Sequence, residues 1–395
     1  MDRRRASLAL LVRSGLLRST AFGSGVVLLA SFAAVAAPAS YEMQVQTISG
    51  MGGGASGMDM MRMLMGGGQP SAARSLQLTL TSTQSAPAAP QAEHLIPAGL
   101  GLGNTLPLLT PPPGRASERG TPDDRPEEVK GRLVIFRGCA GSAAADKPEV
   151  IEMSALMPDQ RRLAQAMARG KGWSSQESGR AVTTGSWPNT LSQKELPANA
   201  SLVGDHQVQS NYAPEIRFQV GRSHDFLAPV QLSIRRAGEA IDLSWKPVDT
   251  SLGSQAMAIG AKDSDQELVL WTSSSTAWGE GSVPAALDAA TARKLISKGA
   301  LMPPDQTRCT IGAEAMKRLG TGIVHFTAYG EVLRASGPAP APGGAPIWSV
   351  TLVRDSVSTL PLMEMEAPQG ENPGKPPAQE TPKNRGGWGL IPGLF

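Results

Sequence analysis

Four short runs of alternating apolar and polar residues follow one another between positions 210 and 275. They cover residues 215–220, 230–234, 241–245 and 267–271. Successive side chains of a β-strand point to opposite faces, so each run predicts a half-buried strand. The glycine-containing stretch 235–240 predicts a hairpin with a loop of about four to five residues. Strands that recur with turn residues between them predict a β-sandwich.

Similar patterns occur on both sides of this region. Residues 75–82, 131–137 and 150–154 predict earlier strands, and residues 322–329 and 346–354 predict later ones. Two segments predict helices: 158–169, with an apolar face of Leu163, Ala166 and Met167, and 288–297, which precedes a glycine. The expected fold is therefore mainly β, with a β-rich region with one helix at 75–170 and a sandwich with a helical insertion and return strands at 201–365. The polar segment 171–200 predicts a linker between them.

Part of the sandwich region resembles a known family. Residues 241–248, IDLSWKPV, followed by residues 254–260, SQAMAIG, resemble the second and third strands of a fibronectin type III domain. This resemblance implies an Ig-like sandwich used for spacing or binding, and no catalysis. Together with the Met/Gly-rich start and the stretch SNYAPEIRF at 210–218, the segment also resembles a group of uncharacterised exported proteobacterial proteins. That second resemblance implies a layout and no activity.

The beginning of the chain predicts a signal peptide at residues 1–36. Arginines are followed by a short apolar stretch at 26–35 and by Ala34-Val35-Ala36, a small-residue cleavage pattern. The alternative is a membrane anchor, but about 20 apolar residues are needed to span a bilayer, and this stretch is shorter. Loss of five arginines and one aspartate changes the formal net charge from +3 to −1. A nearly neutral mature chain lacks the basic surface of nucleic-acid-binding proteins, and export predicts a periplasmic or secreted protein.

The chain has two cysteines, Cys139 and Cys309. Export would place them in an oxidising compartment, where an even pair usually forms a disulfide bond, so we expect one between them. The alternative is a catalytic thiol at Cys139, with Arg137 as a nearby basic residue.

Residues 37–74 are rich in methionine and glycine and predict a flexible segment, and the proline-rich residues 366–395 predict a disordered tail. Thioether side chains are soft ligands that suit Cu(I), which gives the segment a candidate copper site. The alternative is an adaptable apolar linker or docking strip. The candidate ligands are Met58, Met60, Met61, Met63 and Met65.

The sequence has no GxSxG, HExxH, P-loop or paired CxxC motif, and its four histidines are scattered. His206 with His224 and Asp225 forms a loose grouping, which is more often explained by hydrogen-bonded loop histidines than by a metal or acid–base site. Trp245 and Trp271 lie in alternating strands and are expected in the core. Trp278 lies in a predicted turn and is the candidate for stacking on a sugar, with His224 as a second candidate ligand-binding residue.

These patterns favour a non-enzymatic cell-envelope protein with a structural or interaction role, no cofactor, and an envelope protein or glycan as partner. The alternative is an exported ligand binder, for glycan through an exposed tryptophan or for Cu(I) through the methionines. An enzyme is the third hypothesis, and it would need a pocket in which histidine and aspartate side chains converge.

Overall fold

A computed structural model describes residues 39–51, 72–111, 131–142, 145, 147–152, 183–260, 267–277, 282–341 and 344–362. These residues belong to one compact unit. The fold is mainly β, as the alternating patterns predict. Two α-helices occur in the described residues, α1 at Ala289–Ser297 and α2 at Ala313–Leu319.

The strands are numbered in chain order. They are β1 Ala39–Gly50, β2 Ala73–Ser82, β3 Ala92–Leu95, β4 Thr105–Pro107, β5 Arg132–Arg137, β6 Glu149–Glu152, β7 Thr183–Trp187, β8 Gly204–Ser210, β9 Ile216–Val220, β10 Leu232–Ala237, β11 Ala240–Trp245, β12 Ser251–Gly260, β13 Glu267–Thr272, β14 Arg308–Ile311, β15 Gly322–Gly330, β16 Leu333–Ser336 and β17 Trp348–Pro361.

A ten-stranded sheet is the main layer. Its order is β6-β5-β13-β12-β15-β17-β1-β2-β7, and β16 pairs with the first part of β17. The sheet is mixed, because β1 runs parallel to β17 and β5 runs parallel to β13 while the other neighbours are antiparallel. Strands from the start, middle and end of the described chain therefore alternate in one sheet.

Two smaller sheets cover one face of the main sheet. The four-stranded sheet β4-β3-β8-β9 packs over β7, β2, β1 and β17 around a core that includes Tyr41, Leu78 and Trp187. The three-stranded sheet β10-β11-β14 packs over β15, β12, β13 and β5 around a core that includes Trp245 and Trp271. Both of these tryptophans are buried, as predicted, and the ring centroids of Trp245 and Phe326 lie 4.6 Å apart.

Different parts of the opposite face of the main sheet have different surroundings. The α1 region covers part of it, where Leu287 and Leu295 pack with Leu252 and Tyr329. At the β5 side, Leu133, Ile135 and Leu270 form a separate apolar cluster. At the β7 side the residues that point outward are polar, apart from Val353.

The predicted strands and the second predicted helix are confirmed, most of them with small shifts at their ends. The strand predicted at 346–354 is longer and continues to Pro361, and positions 153–154 of the strand predicted at 150–154 lie outside the described residues. Asp288 caps α1, because its Oδ1 accepts a 2.8 Å hydrogen bond from the backbone N–H of Thr291. The predicted loop length between β10 and β11 is wrong. Pairing continues to Ala237 and Ala240, which leaves two loop residues, and Gly238 adopts a φ of 65° that glycine tolerates best.

The prediction that residues 37–74 are flexible is wrong for residues 39–50. Tyr41, Met43 and Val45 are buried and alternate with the more exposed Glu42 and Gln44, so the segment forms the inner strand β1 between β17 and β2. Averaging composition over the whole stretch concealed this period of two.

The predicted division into a region at 75–170, a linker at 171–200 and a sandwich at 201–365 is also not followed by the described strands. Strand β7 lies within the predicted linker, and β2, β5 and β6 share the main sheet with β12, β13, β15 and β17. Long-range pairing between distant segments overrides the local composition that suggested these boundaries.

Cys139 and Cys309 form the predicted disulfide. Their Cα atoms lie 5.1 Å apart, and 170 positions separate them in sequence. The bond joins the turn after β5 to β14, and beside it the backbone N–H of Ala140 donates to the carbonyl of Thr310. It therefore links the main sheet to the three-stranded sheet.

Several predictions lie outside the described residues. These are the signal peptide at 1–36, the helix at 158–169, the methionine run from Met58 to Met65, Trp278, and the tail at 366–395. Within the described ranges, neither α-helix is long and apolar enough to cross a bilayer.

Candidate functional site

Two of the four histidines meet in the core. His94 on β3 and His206 on β8 are 0% and 1% exposed, and the Nε2 of His94 lies 3.0 Å from the Nδ1 of His206. Tyr41 on β1 places its hydroxyl 2.8 Å from the Nδ1 of His94. The Nε2 of His206 lies 2.7 Å from the carbonyl oxygen of Leu202. We call Tyr41, His94, His206 and the Leu202 carbonyl the histidine chain.

The Leu202 carbonyl, at one end of the histidine chain, determines which group donates in every hydrogen bond of the histidine chain. The Leu202 carbonyl can only accept, so the Nε2 of His206 carries a proton and donates. The Nδ1 of a neutral His206 then accepts from the Nε2–H of His94. The Nδ1 of a neutral His94 in turn accepts from the hydroxyl of Tyr41. All four groups are satisfied when both histidines are neutral.

Burial keeps these groups uncharged. Removal from water lowers the pKa of His94 well below its usual value, and the nearby His206 lowers it further. Burial also lowers the pKa of His206, against smaller raising effects from the Leu202 carbonyl and Asp205. Burial raises the pKa of the Tyr41 hydroxyl well above its usual value. Phe218 stacks on His206 with ring centroids 4.9 Å apart. The histidine chain is thus a polar network whose groups satisfy one another within an apolar core.

Sequence reasoning missed the pairing of His94 with His206. His94 is two positions from Ala92, which packs on the core, and His206 is two positions from Val208 on the same strand. The period of two therefore placed both side chains on inward faces. Which two strands are neighbours depends on the long-range pairing of β3 with β8, which local sequence does not contain.

The predicted grouping of His206, His224 and Asp225 forms only in part. Asp225 accepts hydrogen bonds from the Ser201 hydroxyl at 2.6 Å and from the Leu202 backbone N–H at 2.8 Å. The backbone N–H of Leu202 therefore binds Asp225, and the carbonyl of the same residue accepts from His206. Their side chains do not form a joint acid–base pair. His224 is separate, and its Nδ1 lies 3.0 Å from the hydroxyl of Ser223.

A buried arginine, Arg354 on β17, holds three loops together. It is 3% exposed, and its guanidinium donates to the carbonyls of Asp225, Thr250 and Glu331 and to the Thr250 hydroxyl, at 3.0 to 3.3 Å. Thr250 has a φ of 61°, which is unusual for a β-branched residue. Gly330 lies against Arg354, and an added Cβ would approach its Cγ to 2.6 Å. These contacts use four of the five N–H donors of Arg354, which supports a structural role for it.

The outward residues of β7, β2, β1, β17 and β16 form a surface that we call the polar face. One register row runs Ser186, Thr79, Glu42, Thr351 and Arg334 across the five strands. Each member of the face is at least partly exposed. Its members are Ser40, Glu42, Gln44, Gln77, Thr79, Thr81, Thr184, Ser186, Arg334, Ser336, Ser349, Thr351 and Val353.

The chemistry of the polar face is amide and hydroxyl, with little charge. Glu42 is its one acid and Arg334 its one base, and it contains no lysine and no aromatic residue. Arg334 donates to the carbonyl of Ala286, while Glu42 forms no ion pair with any described residue. Such a surface can exchange many hydrogen bonds with a polar partner.

The candidate metal and ligand sites of the sequence are not assembled in the described ranges. No group of three or more histidine, cysteine, aspartate or glutamate side chains suited to a metal ion occurs among the residues that the structure describes. The candidate copper ligands and Trp278 lie outside those residues. His224 lies near Arg354, on the core side of β17, and not on the polar face.

Comparison with known proteins assigns no family. No protein-family model matches the chain, and no curated protein is significantly similar to it.

Proposed function

We propose that this is an exported cell-envelope protein with a structural or interaction role, and that the polar face is its contact surface. The predicted signal peptide supports export, and a disulfide suits an oxidising compartment. The observation that carries the proposal is the composition of the polar face. One face of an antiparallel sheet is commonly solvated, and solvated surfaces are typically about a quarter to a third charged. Two of the thirteen residues of the polar face are charged, which is below that range.

Contact surfaces of proteins are depleted in lysine, glutamate and aspartate, as this face is, but they are also depleted in serine, of which the face has four. The lack of aromatic anchors argues against a tight, permanent protein complex, in which such residues supply most of the binding energy. We therefore propose a broad contact of many hydrogen bonds with a polar component of the envelope.

A charge-insertion experiment tests this proposal. The variant Gln44→Lys/Gln77→Lys/Thr351→Lys adds three charges to the polar face. The matched control Gln231→Lys/Ser233→Lys/Ala237→Lys adds the same charge at exposed positions on or next to β10. Mature protein is sedimented with washed envelope from the native cell. We expect the face variant to lose at least tenfold in the bound fraction while the control keeps it. Equal retention of both variants, or no binding by the unaltered protein, would reject the proposal.

A glycan is the second candidate partner, favoured by the same observation. Amide, carboxylate and hydroxyl side chains hydrogen-bond readily to sugar hydroxyls, and Gln44 and Gln77 are adjacent on the face. Soluble envelope glycans offered to the three-lysine variant and to Trp278→Ala separate the two routes. Loss of binding in the first assigns the sugar to the polar face, and loss in the second assigns it to the tryptophan.

The Cu(I) alternative rests on the methionine run and is tested independently. Full-length mature protein and a variant with leucine at positions 58, 60, 61, 63 and 65 are titrated against a Cu(I) chelator. If both compete equally with the chelator, the methionine site is rejected.

A further inference from the structure

The histidine chain joins two layers of the fold. Tyr41 belongs to the ten-stranded sheet, whereas His94 and His206 belong to the four-stranded sheet. Other polar links between these layers, such as the Ser82 hydroxyl donating to the Tyr212 carbonyl at 2.6 Å, involve groups that do not titrate near neutral pH. Among the hydrogen bonds between these layers in the described part of the chain, those of the histidine chain are the ones whose groups can take up protons in this range.

A first added proton has a defined consequence. Whichever histidine becomes charged, the His94 Nδ1 then carries a hydrogen that points at the Tyr41 oxygen. Tyr41 must change from donor to acceptor. Its hydroxyl hydrogen is left without a partner, because Tyr41 forms no other hydrogen bond with the described residues. The site also acquires a buried charge, which is costly without a counter-ion.

A second proton abolishes the hydrogen bond between His94 and His206 in the histidine chain. Both facing nitrogens, the Nε2 of His94 and the Nδ1 of His206, would then carry hydrogens across a contact of 3.0 Å. Two donors cannot share a hydrogen bond, and two positive rings would lie side by side with centroids 5.1 Å apart.

The charged groups around the histidine pair do not offset the cost of protonating it. The titratable groups around the pair are Tyr41 from β1, Asp205 beside His206 on β8, and Asp225, which is reached through Leu202. Asp205 is exposed and its Oδ1 accepts from Gln219, so it supplies a small stabilisation of a charged His206. The side of the pair facing β9 presents Phe218, which carries no charge.

We expect the four-stranded sheet to open before the other two sheets. Its strands have three to seven residues, whereas β1, β2 and β17 have ten to fourteen. The three-stranded sheet is tied to the main sheet by the disulfide, and the buried histidines among the described residues, His94 and His206, both lie in the four-stranded sheet. Short strands with fewer pairings open at lower free energy than the strands of a large sheet.

We propose that the histidine chain is an acid-sensitive latch, which holds the four-stranded sheet on β1 at neutral pH and releases β3 and β8 when the histidines take up protons. Release is local, and the ten-stranded and three-stranded sheets stay folded. This inference does not depend on the proposed function.

Hydrogen–deuterium exchange of the disulfide-intact mature protein, corrected for intrinsic rates, tests the latch between pH 7.5 and 4.5. We expect amides of residues 92–95 and 204–210 to lose at least tenfold in protection near pH 5, while those of 251–260 and 322–330 keep theirs. Simultaneous loss in all sheets would mean global acid unfolding and would overturn the latch. Unchanged protection at 92–95 and 204–210 down to pH 4.5 would also overturn it.

Two variants isolate the histidines. His94→Gln/His206→Gln keeps amide donors and acceptors but cannot take up a proton in this range, so its exchange at β3 and β8 should not change between pH 7.5 and 5. The control His224→Gln/His325→Gln should keep the acid response of the unaltered protein. Persistence of the response in the first variant, or its loss in the control, contradicts the assignment.

A measurement on the unaltered chain covers the case in which the double variant does not fold. In histidine-labelled protein, NMR should show two imidazoles that stay neutral well below pH 6.5 and become charged only as β3 and β8 lose protection. If all four histidines titrate near pH 6.5 with no change in exchange, the latch is rejected.

Discussion

Tyr329 lies directly opposite Asp355 on the paired strands β15 and β17. The Oδ1 of Asp355 is buried and has no hydrogen-bond partner among the described residues. Burial raises the pKa of Asp355 to about 6, with a smaller lowering effect from Gln46. Burial and the Asp355 carboxylate together raise the pKa of Tyr329 to about 12. The main sheet therefore contains a carboxyl group that is held more favourably in its neutral form.

We expect Asp355→Asn to stabilise the protein at pH 7.5. A carboxyl with a raised folded-state pKa favours folding fully below its unfolded value of about 4, and this contribution is lost as the pH rises through about 6. The difference between these values sets a ceiling of about 3 kcal/mol on the gain at neutral pH. Calorimetric unfolding should show a higher Tm for the variant at pH 7.5 and little difference at pH 4.

Asp249→Asn is the matched control, because Asp249 is exposed on the loop before β12. It should leave the Tm nearly unchanged at both pH values. An equal Tm for Asp355→Asn and the unaltered protein at pH 7.5 would contradict the raised pKa of this carboxyl and the unpartnered state of its Oδ1.

Tyr41→Phe should destabilise the fold at neutral pH. The change leaves the His94 Nδ1 without a donor in a fully buried site, and an unsatisfied buried acceptor costs about 1–3 kcal/mol. Chemical denaturation at pH 7.5 measures the loss. Tyr212→Phe is the control, since its hydroxyl partner Thr110 is only half-buried, and we expect a smaller effect there.

Burial of the histidine pair also makes the free energy of unfolding decrease as the pH falls. The pKa values of His94 and His206 are lowered by folding, so their contribution is present above the unfolded value of about 6.5 and is lost as the pH falls below it. This trend is opposite to that of Asp355. In Asp355→Asn the free energy of unfolding should fall more steeply on acidification below pH 6.5 than in the unaltered protein.

The sequence patterns predicted nine of the seventeen described strands, because their signal is local, and did not predict β3 and β8. Alternation identified β2, β9, β10 and β11, a short β-rich run identified β13, and the segment 288–297 before a glycine predicted a correct helix. Alternation was equally present in β1, where it was masked by the glycine and methionine composition of the following residues. The polar face follows from the same alternation once the strand order is known.

Strand order itself was not predictable. The main sheet pairs β1 with β17, some 300 positions apart, and no local signal selects that partner. For the same reason the meeting of His94 with His206, and of Arg354 with three loops, could not be inferred. The disulfide was predicted because two cysteines allow one pairing.

Arg354→Lys should destabilise the protein by about 2–4 kcal/mol, although it keeps the charge. The guanidinium satisfies carbonyls of three loops at once, and a lysine ammonium cannot reproduce that planar array of donors. Hydrogen exchange should increase in the loops around residues 225, 250 and 331. Arg236→Lys, at an exposed position of β10, should change neither stability nor exchange.

Cys139→Ser/Cys309→Ser should lower the free energy of unfolding by about 2–5 kcal/mol. The bond closes a loop with a sequence separation of 170, for which the chain-entropy estimate is about 5 kcal/mol as an upper value. Because it joins the turn after β5 to β14, its loss should increase exchange first in the three-stranded sheet and leave β3 and β8 unchanged at pH 7.5. Comparison of the unaltered protein with and without reductant serves as the control for the serine substitutions. An unchanged midpoint of denaturation under both treatments would show that the bond does not constrain the fold.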